Sequence, residues 1–243
     1  MHEPERGTDP CCEAKESLPH CKRLTYVISA GATDADNPNM IALQEFEKHD
    51  VCELAIAALR KEHDSLRTVV ALLERLVRDI AAFKSEPDFG LICSAVYYID
   101  DFPERMHHPK ENEHIFARLR ARTAAFDCEL DRLQAEHVQS GNLVTSIERA
   151  IVRYQGGSPD GLHNMRLALA AYSTLLRGHM RAEERLLEAA RDHFSDADWL
   201  AIATAFETDP DPSSPHSSRT EFRRLHARII NMLPRKMRPY SDK

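Results

Sequence analysis

Three histidines stand where a leucine or valine is expected. His63 falls in the run Leu59, His63, Leu66, Val70, Leu73, Val77 and Ile80, whose alternating steps of four and three make the stripe that one helix of a bundle buries. His137 takes one place in the run Phe126, Leu130, Leu133, His137, Ser140, Val144, Ile147, Ile151 and Tyr154. His179 and Glu183 take two places in the run Met165, Leu169, Tyr172, Leu176, His179, Glu183, Leu186 and Ala190. A fourth histidine, His107, heads a series in steps of four: Glu111, Ile115 and Leu119. His107 with Glu111, and His179 with Glu183, therefore share the i, i+4 spacing that sets two side chains on one helix face, about 6 Å apart along the axis. A histidine nitrogen and a glutamate oxygen so placed can grip the same ion or two adjacent ions. A buried polar group without a partner costs about 1–3 kcal/mol. A lone buried histidine usually meets a carbonyl or carboxylate; four of them in four seams, with two glutamates, point to cations shared at the centre. Imidazole and carboxylate ligands without a thiolate suit iron, manganese or zinc.

Other residues with chemical potential carry weaker signals. Histidine is abundant, 13 in 243 residues, but His114, His163, His193, His216 and His226 lie outside the seams. Glu62, Asp64, Glu136 and Glu184 flank the seam residues and read as solvent-side charge or support for a ligand. Tyr97, Tyr98 and Tyr172 read as core or surface residues within reach of the centre. Cys11, Cys12 and Cys21 crowd the N-terminus, while Cys52, Cys93 and Cys128 are isolated; all six are expected as reduced thiols of a cytoplasmic chain, and Cys12 and Cys21 with His20 match no standard zinc spacing. The chain has no Gly-rich nucleotide loop and no nucleophile motif.

The elements that must hold these residues are helices. Glycine is scarce, 8 residues, which disfavours a turn-rich β fold. Four long amphipathic segments, about 51–84, 89–121, 123–154 and 162–191, are joined by short turns such as Gly156-Gly157-Ser158-Pro159-Asp160-Gly161. The fold expected is all-α, an antiparallel four-helix bundle with extra short C-terminal helices. Pro103 and Pro109 predict a kink in the second segment. Ser195 and Asp198 have the capping-box spacing for a fifth helix with Trp199, Ile202 and Phe206 on its apolar face. The domain reading is a poorly ordered segment 1–39, the bundle with its fifth helix at 40–206, a Pro/Ser linker at 207–218, and a C-terminal amphipathic helix and tail at 219–243.

The net charge of −7 disfavours nonspecific nucleic-acid binding, which needs a basic surface. No apolar run approaches the ~18 residues of a membrane span. The first twenty residues lack the apolar stretch of a secretory signal, so the chain is expected in the cytoplasm.

Glu62-His63-Asp64, then Met106-His107-His108-Pro109-Lys110-Glu111 with Phe116 beyond, Glu136-His137, and His179-Met180-Arg181-Ala182-Glu183-Glu184 together resemble the hemerythrin-like (histidine–histidine–glutamate cation-binding) domain family over about residues 51–192. The resemblance implies a four-helix bundle around a non-haem di-iron centre with two iron ions per chain. It implies that His63 and His107 bind one iron, that His137 and His179 bind the other, and that Glu111 and Glu183 bridge them. His108 either completes the second iron's shell or is a surface histidine on the kinked turn. The chain departs from the oxygen carriers of the family in two places. Gly141 stands where they have a further histidine, and Glu183 comes four residues after His179 where they have an aspartate at five. The pattern is closer to bacterial di-iron proteins linked to iron sensing and iron–sulfur cluster repair, although Cys11-Cys12 lacks the sequence context of the repair proteins' paired cysteines. The implied function is binding or sensing of iron, dioxygen or nitric oxide. The alternatives are a metal-dependent enzyme or iron donor (peroxide or nitric oxide turnover, cluster repair) and a metal-stabilised regulatory helical module.

Overall fold

The heptad stripe of the first segment becomes helix α1 (Val51–Ala81), with every one of the seven seam residues from Leu59 to Ile80 buried. The computed structural model describes residues 51–207 and 218–232, and every regular element among them is helical. The N-terminal segment with Cys11, Cys12 and Cys21, the greater part of the Pro/Ser linker with His216, and the tail from 233 lie outside the described residues.

A turn follows α1, and the Asp88 carboxylate caps α2 (Phe89–Phe102) by accepting the Leu91 N–H at 3.0 Å. The kink expected at the two prolines is not a break. The rod runs on through a π-helical turn (Pro103–His107), a short α3 (His108–Lys110), a second π turn (Glu111–Phe116) and α4 (Ala117–Arg122). The widened turns show in the i→i−5 bonds from the His108 N–H to the Pro103 carbonyl and from the Ala117 N–H to the Asn112 carbonyl. Pro103 has no N–H to offer the carbonyl four residues back, Ile99, and that carbonyl instead accepts the buried Tyr172 hydroxyl at 3.3 Å. Of the two readings open for it, core or surface, Tyr172 takes the first.

The third and fourth segments form α5 (Asp127–Gln155) and α6 (Gly161–Ala189), packed along one another. The α5 helix starts four residues later than the pattern suggested, because the Thr123 hydroxyl accepts the Ala125 N–H and forms a turn there. Ser195 and Asp198 make the expected reciprocal cap on α7 (Asp196–Glu207): the Ser195 N–H reaches the Asp198 carboxylate at 3.0 Å, and the Asp198 N–H reaches the Ser195 hydroxyl at 3.3 Å. Helix α8 (Ser218–Met232) buries Phe222 and Ile229. Phe222 packs edge-on against Tyr98 and Phe102 of α2, with ring centroids 6.0 and 5.3 Å away.

Two apolar clusters fill the interior. One holds Leu66 to Ile80 of α1 with α2, the C-terminal half of α5, the N-terminal half of α6 and α8. The other holds Cys52 to Leu59 of α1 with Ile115, Phe116, Leu119, Leu130, Leu133, the end of α6 and α7. The seam histidines fall between them: His63 between Leu59 and Leu66, His137 between Leu133 and Val144, His179 between Leu176 and Leu186. The bundle therefore carries one polar layer enclosed by apolar packing at both ends.

The turn between α5 and α6 is tight enough to test. A Cβ on Gly161 would lie 2.5 Å from the Cα and backbone N of Tyr154. Gly161→Ala is expected to destabilise the fold by about 1–3 kcal/mol, the usual range for overpacking. Denaturant unfolding would read it, and Gly178→Ala, with open space around its Cβ, is the control.

Candidate metal centre

Each rod contributes to the polar layer as its period requires. His63 comes from α1, His107, His108 and Glu111 from the second rod, His137 from α5, and His179 and Glu183 from α6. All seven are buried. The Glu111 side chain reaches both halves of the layer, with Oε1 3.1 Å from His107 Nε2 and 3.7 Å from His63 Nε2, and Oε2 3.4 Å from His137 Nε2. Glu183 mirrors it, with Oε1 2.9 Å from His179 Nε2 and 3.6 Å from His137 Nε2, and Oε2 3.3 Å from His63 Nε2.

None of these contacts is a hydrogen bond. The four Nε2 atoms and all four carboxylate oxygens are shut off from solvent and lack a hydrogen-bond partner. Such a set of orphaned donors and acceptors would be costly unless something else satisfied them. The separations suit a cation: two ligand atoms each ~2.1 Å from one ion lie ~3.0 Å apart at a right angle and ~3.4 Å at the tetrahedral angle. Two groups have the proximity that an ion needs, His63 with His107, Glu111 and Glu183, and His108 with Glu111, His137 and His179.

The far sides of the rings are held by carboxylates from neighbouring helices. Glu62 meets His107 Nδ1 at 3.0 Å, Glu184 meets His63 Nδ1 at 2.9 Å, and Glu136 meets His179 Nδ1 at 2.9 Å. With the proton on Nδ1 donated to a carboxylate, Nε2 presents its lone pair to the centre. Each clamp residue is next in sequence to a residue of the layer. The ~100° step of the helix turns it from the centre toward the adjacent helix. The flanking pattern showed these three glutamates, but it could not say which ring each one meets. Asp64, the fourth flanking acid, faces outward to Arg67. Lys110, which sequence reasoning did not single out, is buried against Glu62 and lies 4.7 Å over the Phe206 ring.

Phe102 stacks on His107 with centroids 6.1 Å apart, and Phe116 on His137 at 6.0 Å. His108 lies against His137, the two rings 3.7 Å apart and nearly parallel at 14°. An ion in the plane of one ring is out of the plane of the other, so the pair binds one ion only if His108 turns. Tyr97 is surface-exposed and bonds Asp101. His114, His163, His193 and His226 join neither group, nor do the free thiols Cys52, Cys93 and Cys128.

Burial disfavours charge throughout the layer, yet mutual pairing overrides it. Desolvation works against His63, but Glu111, Glu183 and Glu184 hold its pKa well above the ordinary value. Desolvation likewise opposes charge on His137, but Glu111 and Glu183 lift it to about 9. His107 and His179 are raised against the same penalty by Glu111 and Glu183 respectively. Burial pushes Glu111 and Glu183 up, and the surrounding histidines bring both below the usual carboxylate range. Glu184 falls to about 2, chiefly through its bond to His63. His108 goes the other way, lowered first by burial.

The family model for the hemerythrin HHE cation binding domain matches residues 54–190, more than half of the chain. A comparison with curated proteins finds no match.

Two outcomes follow from this geometry. Glu183→Ala is expected to abolish metal retention, whereas Glu184→Ala, which loses the clamp on His63 and the ion pair with Arg67 but no carboxylate of the layer, should weaken affinity by about 10–100-fold. Metal titration of the two variants separates them, and equal loss would contradict the register of α6. The second concerns pH in metal-free protein. Raised imidazole values contribute stability that is complete below 6.5 and lost as pH climbs through the folded values, about 9 for His137. Lowered carboxylate values contribute stability present above 4.5 and lost toward acid. Metal-free protein should therefore melt higher at pH 6 than at pH 9. Metal needs neutral imidazole, so its own stabilisation should grow over that same rise. Parallel melts with and without metal across this range would show the opposite slopes.

Proposed function

The chain belongs to the hemerythrin HHE cation-binding family, and from that membership we propose that its bundle holds two iron ions and works as a non-haem di-iron protein that binds or senses iron, dioxygen or nitric oxide. The supporting observation is the convergence of four partnerless Nε2 atoms on two glutamates, each of which turns one oxygen to either half of the layer. In this reading His63 and His107 hold one ion, and His137 and His179 hold the other. Glu111 and Glu183 are shared, and His108 joins the second ion on turning out of its stack. The bound ions would supply a Lewis-acidic, redox-active pair able to take a small ligand at an open position.

The chain's own residues do the rest. Glu62, Glu136 and Glu184 fix the tautomer and direction of three rings, so the ligands are set before an ion arrives. Phe102, Phe116 and the Phe206 ring, whose centroid is 6.3 Å from that of His107, wall the layer with apolar surface. A dry wall of this kind favours a small, weakly polar ligand over bulk water and strengthens every charge interaction inside.

Full-length protein purified from iron-supplemented cells should contain two irons per chain, and its optical spectrum should change on adding azide or nitric oxide. One iron or fewer after careful reconstitution would count against the paired centre. An unresponsive spectrum would point to a metal that only stabilises the fold.

A further inference from the structure

The polar layer is not equally sealed on all sides. The side chains of His63 and His107 are 0% and 2% exposed, whereas His108 and His137 are each 9% exposed. The centre therefore comes nearest to solvent at the stacked pair His108 and His137. Above that pair stands Glu104 in the first π turn, with 57% of its side chain exposed. Its Oε1 lies 3.4 Å from His108 Nδ1, an atom closed to solvent and without a hydrogen bond. Glu104 pairs with no lysine or arginine among the described residues, unlike Asp101, which is taken by Arg105. Asp100, one turn earlier on the same face, is half-buried, and burial, with Asp101 and Glu104 nearby, raises its pKa.

We propose that Glu104 and His108 form an outer station that captures a divalent metal ion and passes it to the buried centre. The 3.4 Å between their ligand atoms equals the ~3.4 Å expected of a nitrogen and an oxygen bound to one ion at the tetrahedral angle. The π turn is what makes the station possible. It lets consecutive histidines both turn inward, so that His107 is held in the layer while His108, free of a carboxylate clamp at hydrogen-bond geometry, is left to rotate. Turning His108 out of its stack on His137 would move the ion from Glu104 toward Glu111, His137 and His179. The carboxylates of Asp100 and Glu104 at the opening, paired with no lysine or arginine among the described residues, raise the local cation concentration and so the capture rate.

The proposal rests on the reading that the centre holds metal, and rate and final content test the two separately. Metal-free full-length protein is mixed anaerobically with Fe2+, quenched with a chelator at set times, and its retained iron counted. Glu104→Gln is expected to slow uptake about tenfold, the lower end of electrostatic focusing, while reaching the wild-type iron content. Glu148→Gln, which removes one exposed carboxylate from α5, should load at the wild-type rate. Uptake by Glu104→Gln as fast as wild type overturns the proposal, and so does an equal slowing in Glu148→Gln. A lower final content in Glu104→Gln also overturns it, by making Glu104 a resident ligand. Wild-type protein that takes up no iron overturns the metal reading beneath it.

Discussion

Four imidazoles and two carboxylates share one buried layer, and the rest of the architecture follows from making that layer tolerable. Each group alone would lose its hydration without recompense. Together they present opposite charges and complementary lone pairs at 2.9–3.7 Å, across helices far apart in sequence. An ion at the centre would satisfy lone pairs that no hydrogen bond reaches. This is why the layer can sit between two apolar clusters that, by area alone, would be better joined into one.

The same constraint explains the outer ring of glutamates. A histidine on a helix can rotate about its side-chain bonds, and a rotating ring holds its nitrogen in no fixed direction. Carboxylates from adjacent helices remove that freedom for His63, His107 and His179. Each clamp crosses between elements, so helix packing and ring direction are one property. Displacing α6 against α1 would break the bond from His63 to Glu184 along with the contact to Glu183.

The second rod pays for its two prolines with π turns, and the widened turns serve the centre. They seat His107 beneath Phe102 and bring His108 to the edge of the layer. The carbonyl that Pro103 cannot satisfy is used to anchor Tyr172 of α6, about two turns before His179. Helix α8 then covers α2 through Phe222, whose ring meets Phe102, itself stacked on His107. A helix separated in sequence from the bundle is thereby coupled through two rings to a residue of the centre.

The four helical seams, the histidines within them and the two His/Glu pairs were legible in the chain itself. Burial of one face follows the 3.6-residue repeat, so a polar residue that breaks an apolar stripe shows its place without any knowledge of its neighbours. The Ser195/Asp198 cap was legible for the same reason: both partners lie within one turn. Other features depended on contacts across helices. The pairing of Glu62 with His107, rather than with the adjacent His63, is set by how α1 and the second rod rotate against each other. The continuation of the rod through Pro103 drew on the Tyr172 hydroxyl donating to the Ile99 carbonyl in place of the missing N–H. The stacking of His108 on His137, and the docking of α8 on α2, bring together residues that no local period relates. Periodicity determines which face of a helix turns inward; only the packed bundle decides which side chain it meets there, because the angle and rotation between helices are settled by all of their side chains at once.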